Sequence, residues 1–241
     1  MGKPEKYPSP GEWWDKEYAE VMKDSFLKKK YNRERRIADK KKYIDENCAE
    51  IKAVKGKVVL DIGPGPGEFL EWCRYYGHRV IGIDSKLDGG EMGDHYVRLS
   101  KLMCDRQKLG VVYCGFEDYL NGQTTTPAQI IQNGSVFWIN LQGSLEQCLR
   151  DYLDGPPHRQ HHQASKLSWR VDDPATWDIF MRMFTEFARI LEPGGWILIH
   201  GNGSANNSVY DNYILETLKK IPELKLMKKK QKTWHKIRKR G

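Results

Sequence analysis

The sequence predicts an α/β fold: a doubly wound, Rossmann-like, mostly parallel seven-stranded sheet with a C-terminal antiparallel hairpin and an N-terminal helical cap. Three observations carry this. After Gly56, short apolar runs alternate with helix-patterned stretches, which is how a parallel sheet with crossover helices reads. The first such run, VVLDI, leads into GPGPG and then an amphipathic segment, a strand-turn-helix start. The last two apolar runs are separated by almost nothing, which only an antiparallel pair allows.

In chain order, 1–12 holds three prolines and two glycines and reads as an irregular arm. From Trp13 to about Ile51, Tyr18, Met22 and Phe26, then Ile37, Ile44, Cys48 and Ile51, recur at helical spacing, as two helices broken around Tyr31 and Asn32. The chain thus divides into an arm and helical cap, 1–55, and a core, 56–241. Strands are expected at 58–62, 80–84, 111–114, 135–141, 196–201, 224–230 and 233–238. Helices are expected at 68–76, 92–109, 144–154, 174–191 and 207–221, so each of the first five strands is followed by one.

Composition narrows the function classes. No apolar run in the 241 residues approaches the ~18–20 needed to cross a bilayer, and the N-terminus has no secretory pattern, so a cytoplasmic protein is expected. Five cysteines, odd in number and never spaced CxxC, read as reduced thiols rather than a disulfide framework or zinc site. His158, His161 and His162 share a Pro-containing loop without Asp, Glu or Cys at ligand spacing, so a substrate lid is preferred over a metal site and no metal is expected. Charge is uneven: 23–42 carries +7 and 219–241 carries +10, leaving −9 elsewhere. Such cationic ends either draw in an anionic substrate, including RNA, or solvate a helix and an edge hairpin.

The glycines at 63, 65 and 67 sit where a strand turns into a helix, letting the backbone approach a ligand at a helix N-terminus. A dinucleotide fingerprint would need a third glycine at 68, where Glu68 stands, and no Gly-Lys-Ser/Thr follows for a phosphate loop. Asp84 ends the next strand 17 residues after Gly67, where a carboxylate can accept both hydroxyls of a ribose. The two motifs together point to a nucleoside cofactor without a pyrophosphate.

On these residues the sequence resembles the class I S-adenosylmethionine-dependent methyltransferases, over about 56–238. Asp61-Ile62-Gly63-Pro64-Gly65-Pro66-Gly67 is similar to the family's first motif, which surrounds the methionine part of S-adenosylmethionine. The resemblance implies that Asp84 binds the ribose and that Phe116 and Glu117 lie at the adenine, although Gly115 stands where the family often has an acid. Phe137 to Gln142 corresponds to the fourth motif, which brings Asn140 and Leu141 to the cofactor. Leu145-Glu146-Gln147 lacks the histidine that many small-molecule members carry there, and 191–201 resembles the turn into the fifth strand.

Methyl transfer asks mainly for alignment, with a base where the acceptor must lose a proton. His200, ending the fifth strand, is the candidate base, or a rim histidine bonded to backbone. Glu146 is a second catalytic candidate, able to pair with a cationic substrate group or to sit in a helix's first turn. Asn140 and Gln142 follow the fourth strand and could orient cofactor or substrate, with one of the two side chains expected on the opposite face. Trp13, Trp14 and Tyr18 either stack on a substrate or pack the cap. Neither the Asp/Asn-Pro-Pro-Tyr/Phe motif of base methylases nor a Pro-Cys dipeptide is present. The expected function is methyl transfer to O or N of a polar, anionic or sugar-like small molecule. The alternatives are an RNA methyltransferase and a non-catalytic binding module of the same fold.

Overall fold

The computed structural model describes residues 10, 19, 22–23, 32–84, 93–114, 119–120, 131–145, 174–200, 207–229 and 234–241. Among the described residues the first long helix is α1 (Arg33–Asn47), capped by Asn32, whose side-chain oxygen accepts the Arg35 N–H at 2.8 Å; the helix expected before it lies outside the described residues. The helix does not run on to Ile51. Cys48 leaves helical geometry and a short helix, α2 (Ala49–Ala53), follows. The far end of the chain meets this break: the Lys236 ammonium bonds the Asn47 carbonyl at 3.0 Å and the Glu50 carboxylate at 2.6 Å, a cation placed on a helix C-terminus.

The core then runs β1 (Val58–Ile62), α3 (Glu68–Tyr75), β2 (Arg79–Asp84), α4 (Gly93–Arg106), β3 (Val111–Tyr113), β4 (Val136–Gln142), α5 (Pro174–Ile190), β5 (Leu191–His200), α6 (Asn207–Lys220), β6 (Leu224–Lys229) and β7 (Trp234–Lys239). The sheet order is β3-β2-β1-β4-β5-β7-β6, parallel except for β7, which lies antiparallel between β5 and β6. The expected strands and terminal hairpin are all present. β5 starts five residues earlier than its apolar run because Leu191 pairs with Val136 and Trp196 with Trp138. Glu192 to Gly195 therefore bulge out between two paired positions, with Gly194 at a φ of +81°.

Because β2 and β4 flank β1 on opposite sides, the chain reverses its direction of travel across the sheet there, and a crevice opens above the C-terminal ends of β1 and β4. Strand alternation decides what faces it. Leu60, Ile62, Ile139, Leu141, Ile197 and Ile199 enter one core with Phe180, Phe184 and Phe187 of α5 and Tyr213 of α6. Val59, Trp138 and Leu198 enter the other, with Ile37, Tyr43 and Ile44 of α1 and Phe69, Leu70 and Trp72 of α3. Asp61, Asn140, Gln142 and His200 continue this second row, so they emerge beside α1.

Candidate functional site

At the end of β1, Gly63, Gly65 and Gly67 all have positive φ, and Gly67, at +88°, is the left-handed residue from which α3 starts. Two of these glycines are held by the protein itself. A Cβ on Gly63 would lie 2.6 Å from Ser144 Cβ, and one on Gly67 would lie 2.5 Å from Leu109 Cδ1. The turn is thus wedged between the end of β4 and the segment entering β3. Asp84 reaches across from β2, its Oδ2 accepting the Gly65 N–H at 3.0 Å, while the Cys104 thiol donates to the Gly65 carbonyl at 3.4 Å.

Asp61 is buried at the crevice floor. Asn140 Nδ2 donates to its Oδ1 at 2.7 Å, and the Tyr43 hydroxyl donates to Asn140 Oδ1 at 2.9 Å, so a directional chain runs from α1 through β4 to β1. Burial pushes the Asp61 carboxyl up to about 7, opposed by the Asn140 bond and the Lys40 charge and reinforced by Asp84 and Glu68. The same burial raises the Tyr43 phenol, which therefore stays protonated and remains a donor.

Lys40, one turn before Tyr43, donates to Gln142 Oε1. Withdrawal from water lowers its pKa, against the pull of Asp61 and Glu68. The Tyr43 ring meets His200 edge-on at 5.8 Å, and the Lys40 ammonium lies 5.9 Å from the Tyr43 centroid. His200 is half-buried; desolvation first, and then the Lys40 charge, depress its pKa, so its imidazole is neutral at pH 7 and able to accept a proton. The peptide N–H of Gly143 bonds the His200 carbonyl at 2.7 Å, which locks the ends of β4 and β5 together.

Beneath the crevice, α1 and α3 are joined by charge. Arg33 Nη2 bonds both oxygens of Glu71 at 2.8 Å, Gln107 bonds Glu71 Oε1 at 2.8 Å, and Arg36 bonds Glu68 at 2.7 Å. Glu68, the residue that excluded a dinucleotide fingerprint, is buried and paired with Arg36.

Of the residues singled out by sequence, Asp61, Gly63, Gly65, Gly67, Asp84, Asn140 and His200 come together around one crevice. Phe116, Glu117 and Glu146 lie outside the described residues, as do Trp13, Trp14, Tyr18 and the 158–162 histidines. Leu141 is fully buried on the opposite face among the α5 residues, so its side chain does not reach the crevice. The expectation that Asn140 and Gln142 would face opposite ways is corrected: two residues apart on one strand, they share a face, and both bond α1. Lys40 and Tyr43 were not singled out. Their signal was the polar stripe Arg33, Arg36, Lys40, Tyr43, at helical spacing beside the apolar stripe of Ile37 and Ile44. Among the described residues no cluster of His, Cys, Asp or Glu could hold a metal ion.

A doubly wound sheet with an acid-flanked glycine turn at its switch point defines a nucleoside-cofactor protein. The chain belongs to the methyltransferase domain family, whose description matches residues 30–173, and it is an S-adenosylmethionine-dependent methyltransferase. No curated protein sequence matches it. Solved structures similar to it include an S-adenosylmethionine-dependent methyltransferase from Aquifex aeolicus, 14% identical, covering 94% of this chain and 98% of that one with a TM-score of 0.47. Another is an O-methyltransferase family protein from Burkholderia thailandensis, 12% identical, covering 91% and 62% with a TM-score of 0.44. No helix among the described residues is long and apolar enough to cross a membrane.

Proposed function

We propose that this chain methylates an oxygen or nitrogen of a polar small molecule, with His200 as the general base. The observation that carries this reading is the neutral imidazole at the end of β5, in the same crevice as Asp61 and the glycine turn. The residues present fit the cofactor. Asp61 offers a buried carboxyl for its ammonium, Asp84 a carboxylate for its ribose hydroxyls, and Gly63, Gly65 and Gly67 a backbone cradle. The buried Ser144 hydroxyl beside Gly63 has no hydrogen-bond partner among the described residues, an orphan polar group at the cradle's wall. Phe116 and Glu117 are assigned to the adenine by family resemblance alone.

S-adenosylmethionine, when bound, supplies an electrophilic methyl group on a sulfonium. The chain's own residues do the rest. The chain from Tyr43 through Asn140 to Asp61 fixes the carboxyl's orientation. Tyr43 and Lys40 of α1 wall the crevice on the side facing β5. His200 Nδ1 or Nε2 takes the proton of an attacking hydroxyl or ammonium, so the alignment and dehydration of the crevice act on a competent nucleophile.

The test is formation of S-adenosylhomocysteine with a panel of hydroxy acids, amino acids, sugars and nucleosides, and with total RNA. A small molecule should be turned over, and His200→Ala should lower kcat by about 10²–10⁴ with cofactor affinity unchanged. Because His200 acts unprotonated and its pKa is lowered, the rate should be flat through neutrality and fall only at acid pH. A second reading, RNA methylation, is favoured by the exposed Lys225, Lys228, Arg238 and Arg240 of the terminal hairpin, and turnover of RNA alone would select it. Product formation with none of them would return the chain to a binding role.

A further inference from the structure

The helix α1 turns three cations toward the core side, and they are not treated alike. Arg33 and Arg36 each meet a carboxylate of α3, at 2.8 and 2.7 Å. Lys40, one turn on, has for its partner the neutral amide oxygen of Gln142, and among the described residues no carboxylate stands within ion-pairing distance. The Asp61 carboxyl, whose charge it feels, is already engaged by Asn140 at 2.7 Å. An ammonium has three hydrogens to donate, and withdrawing it from water without a counter-charge is costly. Lys40 is half-buried beside two arginines that each hold a carboxylate, and its remaining donors leave room for an anion from outside.

The surroundings say which anion. Tyr43 neighbours both Lys40 and His200, its ring 5.9 Å from the ammonium and edge-on to the imidazole at 5.8 Å. A molecule that reaches the edge of this ring meets both a cation and a proton acceptor. Gln142 sits opposite His200 in the β4–β5 register, so the amide that holds the ammonium lies beside the imidazole's strand end.

We propose that Lys40, steadied by Gln142, is the subsite for an anionic group of the acceptor, a carboxylate or a phosphate, and that the methylated atom lies beside His200. This rests on the reading of the crevice as the site of methyl transfer. The acceptor is then a small hydroxylated or aminated acid rather than a neutral sugar, and the charged end supplies the binding that holds the reacting atom in line.

The experiment is calorimetric titration of the S-adenosylhomocysteine-loaded protein with acetate and, separately, with inorganic phosphate. At least one should bind saturably, and their ratio identifies the preferred anion. Lys40→Met should weaken that binding at least tenfold, Lys40→Arg should retain it, and both should bind S-adenosylhomocysteine within twofold of the parent. Three outcomes overturn the subsite: neither anion binds the parent, Lys40→Met binds them equally, or Lys40→Met loses S-adenosylhomocysteine instead, which would assign the lysine to the cofactor's own carboxylate. Should Lys40→Met fail to fold, Lys40→Gln carries the same expectation. Absence of any methyl transfer with intact, Lys40-dependent anion binding would sink the proposed reaction and leave the subsite standing.

Discussion

Against the sheet face carried by Leu60, Ile139 and Ile199, α5 and α6 lay an aromatic stack with one buried polar pair, Asp211 and His235 at 2.7 Å; against the face carried by Val59, Trp138 and Leu198, α1 and α3 bring several charges along with their apolar residues. On the first side Phe180 stacks on Tyr213 at 5.1 Å and lies 6.3 Å from Phe184, which meets Phe187 edge-on at 5.7 Å. On the second, Arg33 and Glu71 are withdrawn from water as a pair, and the buried Glu68 pairs with a partly exposed Arg36. Burying ion pairs rarely stabilises a fold more than apolar residues of the same volume would. The charged face thus gains orientation rather than stability: it fixes α1 at one height and rotation, and that sets where Lys40 and Tyr43 stand over the crevice. One face holds the sheet together and the other aims the site.

The comparison can be broken most severely on the aromatic face. Phe184→Ala should cost about 3–5 kcal/mol in chemical denaturation, from lost transfer energy plus a cavity, while the folded fraction keeps its cofactor affinity. On the charged face Arg33→Met should cost about 3 kcal/mol, because Glu71 is left buried with Gln107 as its remaining bonded partner. Arg33→Met combined with Glu71→Leu should recover most of that stability and yet perturb the site, which separates holding from aiming. A double variant that regains stability with unaltered cofactor binding and turnover would refute the aiming role. The smallest effect on the fold and the sharpest on the site is expected from Asp84→Ala. It removes the acceptor of the Gly65 N–H and should weaken cofactor binding by about 1.5–3 kcal/mol, read by calorimetry, in a protein that unfolds nearly as the parent does.

What the sequence made legible follows from how each residue signals itself. The glycine turn, Asp84 and His200 sit at strand ends, where an apolar run stops abruptly at a polar residue, so both strand and site could be read at once. The terminal hairpin was readable because its two runs leave no room for a crossover. Lys40 and Tyr43 were hidden because a lysine-rich helix reads as solvated until the partner of each face is known. The buried roles of Glu68 and Glu71 were hidden too, since carboxylates in a first helical turn are ordinary there. Leu141 was drawn to the cofactor by motif position, although alternation from Asn140 already sends its side chain to the other core. The interruption of the cap at Cys48 is met by Lys236, almost two hundred residues away, a contact that no local pattern could convey.

The most direct test of the crevice is calorimetric titration with S-adenosylmethionine and S-adenosylhomocysteine between pH 6 and 7.5, with NAD and ATP as controls. Asp61 is held near 7 in the folded protein against an ordinary value of 3.8, so what it contributes to stability is complete below 3.8 and is lost as pH rises through about 7. Cofactor binding should run the opposite way, because the ligand's ammonium needs the ionised carboxylate. Selective binding that strengthens severalfold over this window, with proton release, and that loses its pH dependence in Asp61→Asn, is the result expected. Affinity that is flat with pH, or equal binding of NAD, would contradict the assignment of Asp61 and with it the crevice as the cofactor's place.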